Sequence, residues 1–134
     1  MKLEKTYDFQ GRTRRVDSRV TVSPVTSPVR DPLLVVPRGR RPVRVTVRVQ
    51  DQGPSPFPFA WARFTLVGRD GARSSGSSMT PLRRTEPGRR RSARTAIITF
   101  VVPKDLVPAQ VRMTSIVAVW PFKARWAVER GSGP

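Results

Sequence analysis

The chain has 134 residues, no cysteine and no histidine, and its 26 lysines and arginines outnumber nine aspartates and glutamates to give a formal net charge of +17. The missing residue types exclude disulfides, thiol nucleophiles and thiolate metal sites, and they leave a serine without its usual activating base. The length suits one domain, no stretch is long and apolar enough to span a membrane, and the charge predicts attraction to a polyanion.

The first third of the chain predicts short strands separated by prolines. Residues 1–14 are polar and predict a flexible or edge-strand lead-in. Val16, Val20 and Val22 share one parity, which indicates the first full strand. Beyond it, proline-bounded runs such as Leu33 to Val36 predict pieces of sheet edge.

The clearest pattern runs from Pro42 to Gln50. Valine occupies every odd position from 43 to 49, and arginine, threonine or glutamine every even position from 44. Successive side chains of a strand point to opposite faces, so this stretch predicts a valine wall inside and a basic face outside. The basic turn at 38–41 leads into this strand.

A proline-rich loop follows at residues 51–58. Its two interpretations are a stiff connector whose Phe57 caps the core, and a polyproline ligand for an aromatic groove. The next strand is predicted from Phe59 to Val67. The odd spacing of its aromatic residues, beginning with Trp61, predicts a bulge near Arg63.

The second half of the chain repeats strand and turn signals. Asp70-Gly71 is a hairpin signal, and Thr95 to Val102 is nearly continuous in β-formers, which predicts a central strand. Further strands are expected at Gln110 to Ser115, Val117 to Trp120 and Ala124 to Val128.

About seven or eight short strands with regular turn signals predict an all-β fold, an immunoglobulin-like antiparallel β-sandwich. The expected boundaries are a lead-in at 1–14, the sandwich at 15–128 and a tail at 129–134.

Three stretches carry a resemblance to a known family. They are Pro37 to Val47, with its basic turn and valine strand; Phe64 to Gly71, a Phe-x-Leu segment followed by an Asp-Gly hairpin; and Thr99 to Arg112, which contains Phe-x-Val-Pro and a later proline. In this order they resemble the telokin-like, immunoglobulin-fold bacterial domains of unknown function found in secreted proteins and lipoproteins. The resemblance implies a sandwich fold and a binding role, and it brings no catalytic residues.

No catalytic, cofactor or metal site is predicted. The acids are spread singly among arginines, which would depress the pKa values of the carboxyl groups and spoil a general acid. The glycine motif Gly68-x-x-Gly71 belongs to a hairpin and does not precede a helix. We therefore expect a protein that is not an enzyme and needs no cofactor.

The arginines are the candidate binding residues, because guanidinium groups bind phosphate and carboxylate bidentately. The alternative is a solvated face with each charge separately hydrated. Two groups are predicted to form a polyanion-binding surface: Arg38, Arg40, Arg41, Arg44 and Arg48, and Arg83, Arg84, Arg89, Arg90, Arg91 and Arg94. Stacking of bases on tryptophan is a weaker expectation, because the contexts of Trp61, Trp120 and Trp126 favour core packing.

The expected function is a binding or interaction module of the bacterial envelope or extracellular space, provided that an export signal was removed. Its partner would be an anionic polymer or another protein. The alternative is a cytoplasmic or virion-associated protein that contacts nucleic acid without sequence specificity. A third interpretation is a structural subunit that pairs through edge strands or the proline loop. The oligomeric state is left open by the sequence.

Overall fold

The computed structural model describes residues 1–26, 35–79, 83–84 and 93–128, and these form one curled antiparallel sheet. Its strands are β1 (Lys2–Phe9), β2 (Arg12–Val22), β3 (Arg40–Asp51), β4 (Ala62–Gly68), β5 (Arg73–Met79), β6 (Arg83–Arg84), β7 (Ala93–Pro103), β8 (Pro108–Ser115) and β9 (Lys123–Ala127). Their order across the sheet is β1-β2-β3-β7-β5-β4-β8-β9, with β6 beside β7. The all-β antiparallel prediction is confirmed, and the sheet takes the form of a half-barrel.

Strand β3 contains the predicted valine wall. Val43, Val45, Val47 and Val49 are each at most 1% exposed, and they pack into a single core with residues from the other strands. Burying a valine contributes about 1.5 to 3 kcal/mol, so this strand is a principal source of stability. It lies between β2 and β7 in the sheet, and its even-numbered side chains face outward.

The lead-in at 1–14 is largely an ordered edge strand. β1 pairs with β2 from Lys2 to Phe9, and a two-residue turn at Gln10-Gly11 connects the strands. Both turn residues have positive φ, +52° and +73°. Two-residue hairpin turns of this kind have a backbone twist that matches the right-handed twist of the flanking strands. Strand β2 therefore begins at Arg12, earlier than the valine pattern alone indicates.

The hairpin between β4 and β5 forms at the predicted Asp-Gly signal. Gly71 has φ +87°, and the Asp70 carboxylate accepts a hydrogen bond from the Ala72 backbone N–H at 3.0 Å. The Gly68 N–H donates to the Ala72 carbonyl at 2.8 Å and closes the turn.

Strand β5 joins the two halves of the sheet. Arg73 to Ser75 pair with β4, whereas Gly76 to Met79 pair with β7, with a register shift between Gly76 and Ser78. By changing partners along its length, β5 turns the sheet and lets both halves face one core.

Two strand predictions are wrong. Phe59–Trp61 is a 3₁₀ turn after Pro58, so β4 begins at Ala62. The register of β4 with β8 then runs without interruption to Val67, and its irregularity falls at Val67 and Gly68 instead of near the predicted Arg63. The turn buries the Phe59 side chain in the core.

The second error is the strand predicted from Val117 to Trp120, which is a bend. The Ser115 hydroxyl accepts a hydrogen bond from the Val117 N–H at 3.2 Å and donates to the Val117 carbonyl at 3.0 Å. This local bonding competes with ladder pairing. Strand structure resumes at Lys123.

The core is capped by aromatic side chains. Phe57 is 1% exposed, and its ring centroid lies 5.6 Å from Trp120 and 5.1 Å from Phe122. This burial agrees with the connector interpretation of the proline loop. Trp120 is in the core as predicted, while Trp61 and Trp126 are half-buried and pack against it.

The predicted tail at 129–134 and the edge piece beginning at Leu33 lie wholly or partly outside the described residues. Within the described ranges, no helix is long and apolar enough to cross a membrane.

Candidate polyanion-binding surfaces

The first basic surface is the outer side of β2 and β3, called here the β2–β3 face and defined by Arg19, Arg44 and Arg48. Arg19 and Arg48 are exposed, and Arg44 is half-buried. Arg48 lies across from Thr21 on β2. Arg19 pairs with Gln50, so it is a diagonal neighbour of Arg48 at about 7 to 8 Å between the backbones. The sequence predicted Arg44 and Arg48, and the strand register adds Arg19.

The charge of this face is partly balanced. The Lys2 ammonium, on the neighbouring edge strand, lies 2.6 Å from the Glu4 carboxylate. That hydrogen bond raises the pKa of Lys2 above its ordinary value. Asp17 stands on the same side of β2 as Arg19. The Arg44 side chain is held by the Thr99 hydroxyl, with Nε to Oγ1 at 3.4 Å.

The arginines of the turn before β3 divide into two kinds. Arg38 and Arg40 are exposed in a turn that a hydrogen bond from the Arg40 N–H to the Pro37 carbonyl closes at 3.2 Å. Arg41 is half-buried, and its Nη2 donates to the Leu106 carbonyl at 2.8 Å. Arg41 therefore ties the start of β3 to the turn between β7 and β8.

Arg94 faces inward, which corrects its assignment to the predicted surface. Its Nη2 lies 2.8 Å from Asp51 Oδ2 and donates to the Phe57 carbonyl at 3.3 Å. The Asp51 Oδ1 accepts from the Ser18 hydroxyl at 2.8 Å and from the Phe57 N–H at 2.9 Å. Arg94 shares its parity with buried Ala96, so the alternation of β7 already indicated this direction. These residues close one end of the core.

The rest of the second predicted group is only partly described. The backbones of Arg83 and Arg84 form β6 and pair with Thr95 and Arg94. In this register the backbone of Arg83 lies opposite Thr95 of β7, and Thr95 in turn lies opposite Arg48 of β3. The remaining members, Arg89 to Arg91, lie outside the described residues.

A second basic surface was not predicted. It is the outer side of β4, β5, β8 and β9, called here the β4–β8–β9 face. In one row Arg63 and Lys123 flank Thr114, and in the next Arg112 and Arg125 are direct cross-strand partners. Arg73 on β5 completes the surface, which is defined by Arg63, Arg73, Arg112, Lys123 and Arg125. Its members are scattered in sequence, and only their outward parity within separate strands could have indicated it.

The strands of this face supply no acid that would balance its positive charge. Strands β4, β5, β8 and β9 contain no aspartate or glutamate. The described acids lie on β1 to β3 or in turns: Glu4, Asp8, Asp17, Asp51, Asp70 and Asp105. Arg112 is oriented by a neutral partner, with Nε donating to Gln110 Oε1 at 2.5 Å. Like charges directly opposite each other in a sheet are destabilising, so the Arg112–Arg125 pair costs stability in the free protein.

The β4–β8–β9 face also contains a shallow groove. A depression of about 500 Å³ is lined by Arg112, Thr114, Lys123 and Arg125, together with the apolar residues Met1, Met113 and Ala124. The groove thus combines three cations and a hydroxyl donor with apolar side chains.

No cluster of three or more histidine, cysteine, aspartate or glutamate side chains that could hold a metal ion occurs among the described residues. Comparison of the chain with protein-family models, curated proteins and solved structures found no match.

Proposed function

We propose that this protein is a binding module, acting without catalysis, whose basic outer sheet surface holds an anionic partner. The observation that carries the proposal is the β2–β3 face, where Arg19, Arg44 and Arg48 lie on the opposite side of the sheet from the buried valine wall. A rigid sheet holds these side chains at fixed spacing, which lowers the cost of ordering them on binding.

The chemistry of the face supports an anionic polymer. Guanidinium groups form paired, charge-assisted hydrogen bonds with phosphate, sulfate or carboxylate oxygens. Each contact with a polymer anion releases a condensed counterion, so binding through this face depends strongly on salt concentration.

The proposal includes a finer fold and a location. The partner change along β5 divides the sheet into two halves around one core, which supports an immunoglobulin-like sandwich as the fold type. The resemblance to telokin-like domains of secreted proteins and lipoproteins supports the bacterial envelope or the extracellular space as the location.

The test is fluorescence anisotropy with labelled single-stranded DNA, double-stranded DNA and a sulfated polysaccharide, each across a salt series. In the variant Arg19→Glu/Arg48→Glu, binding to the preferred polymer should weaken. The slope of log affinity against log salt should fall by about two units, one for each lost contact.

The matched control is Arg12→Glu/Arg69→Glu, which makes the same change in net charge at exposed positions at or beside turns. An equal loss in both variants would mean that only the overall charge matters. Absence of binding to every polymer at physiological salt would refute the proposed function.

A further inference from the structure

We propose that the β4–β8–β9 face is a second polyanion-binding surface, which binds the phosphate backbone of double-stranded nucleic acid without sequence preference, an inference that goes beyond the function proposed for the β2–β3 face. The face carries five cationic side chains, Arg63, Arg73, Arg112, Lys123 and Arg125, on four adjacent strands that contain no acid. The β2–β3 face, by comparison, has Asp17 on the same strand side as Arg19.

The spacing suits a repeating anion. Neighbouring strands are about 4.8 Å apart, so Arg63 and Lys123, two strands apart, are separated by about 10 Å. Lys123 and Arg125 are two residues apart on one strand, about 7 Å. The cations therefore form a two-dimensional array that can contact several phosphates of one polymer at once.

Neutral donors complete a phosphate-binding surface. The residues between the cations are Thr65, Ser75, Gln110 and Thr114. Hydroxyl and amide side chains, with arginine and lysine, are the groups that bind phosphate oxygens in nucleic-acid complexes. Four of the five cations are arginines, whose planar fork matches the oxygen pair of a phosphate.

The side chains of the β4–β8–β9 face favour duplex over single-stranded nucleic acid. Proteins that bind single strands stack unpaired bases on aromatic side chains. The outward positions paired across β4, β8 and β9 carry no aromatic side chain. Besides the cations, the first two rows contain only threonine, and the third row consists of Val67, Gln110 and Ala127. A duplex keeps its bases stacked internally and requires only backbone contacts, which carry no sequence information.

The unfavourable Arg112–Arg125 pair gives the proposal a second readout. These side chains repel each other in the free protein, and a bound phosphate relieves that repulsion. Replacing Arg125 with serine should therefore raise the melting temperature of the free protein while weakening its binding to duplex. A residue with a purely structural role would lower the melting temperature when replaced.

The experiment uses the full chain and a short, mixed-sequence DNA duplex in fluorescence anisotropy across a salt series. In the variant Arg112→Ser/Lys123→Ser/Arg125→Ser, the salt slope should fall by about 2.7, since each lost phosphate contact contributes about 0.9. Changing the sequence of the duplex should leave the affinity of the wild-type protein unchanged.

The control Arg12→Ser/Arg69→Ser/Lys104→Ser removes the same charge from exposed positions at or beside turns and should change the slope by less than one unit. Circular dichroism establishes that each variant is folded.

Three outcomes would overturn the inference. They are an equal slope change in the control, a wild-type preference for single strands, and a wild-type preference for a sulfated polysaccharide or an acidic protein. If duplex binding depended on Arg19, Arg44 and Arg48 instead, the proposed function would hold and the β4–β8–β9 assignment would be wrong. If no polyanion bound at all, both would fail.

Discussion

Removal of the Asp51 carboxylate should destabilise the whole fold, although this residue lies at the end of a strand. Its two oxygens accept hydrogen bonds from the Ser18 hydroxyl, the Phe57 N–H and the Arg94 guanidinium, at 2.8 to 2.9 Å. The side chains of Asp51 and Arg94 are 18% and 19% exposed, so solvent replaces little of what is lost.

The expected magnitude follows from these contacts. A hydrogen bond to a charged group contributes about 1.5 to 3 kcal/mol, and breaking a fully buried ion pair costs about 3 to 5 kcal/mol. Because the Asp51–Arg94 pair is not fully buried and its contacts are not additive, Asp51→Ala should lower the free energy of unfolding by about 3 kcal/mol. For a domain of this size the melting temperature should fall by about 10 °C.

The assay is urea and thermal unfolding followed by circular dichroism. A double-mutant cycle with Arg94→Met isolates the pair, for which we expect a coupling of about 1 to 3 kcal/mol. Asp105→Ala is the matched control, because this acid is exposed in a turn, and its effect should stay within about 0.5 kcal/mol. A loss below about 1 kcal/mol for Asp51→Ala, or a coupling of zero, would refute the structural role of the network.

Two further predictions concern stability. Val47→Asp should abolish cooperative unfolding because it places a carboxylate in the core, whereas Arg48→Glu should leave the melting temperature nearly unchanged; equal tolerance in thermal melts would show that the strand faces are misassigned. Gly53→Ala should cost about 1 to 3 kcal/mol in urea unfolding, because its Cβ would lie 2.8 Å from the Asp17 backbone nitrogen. Replacing the exposed neighbour, Gln52→Ala, should have little effect on stability. Unchanged stability in Gly53→Ala would mean that the loop is not held against β2.

Much of the fold could be predicted from local patterns. The alternation from Val43 to Val49 identified β3 and its inner face, and the β-formers around Phe100 identified β7 as a central strand. Asp70-Gly71 located a hairpin because few residue pairs adopt its backbone geometry. Each of these signals depends on residues close together in sequence.

The errors arose where local bonding or packing overrides strand propensity. Phe59 and Val117 both lie in segments rich in β-formers. A 3₁₀ turn after Pro58 nevertheless delays the start of β4, and the hydrogen bond from the Val117 N–H to the Ser115 hydroxyl replaces strand pairing after β8. The Gln10-Gly11 turn was missed because Gln seldom occupies a backbone position with positive φ.

The candidate sites divide in the same way. By itself the sequence determined that the chain is strongly basic, that its core is built of β-strands, and that Arg44 and Arg48 face away from the valine wall. Only the tertiary structure decided that Arg94 turns inward to Asp51, and that Arg112 and Arg125 stand side by side on a face whose strands contain no acid. The reason is physical: side-chain direction follows from alternation within one strand, whereas the neighbours of a side chain follow from strand order and register across the sheet.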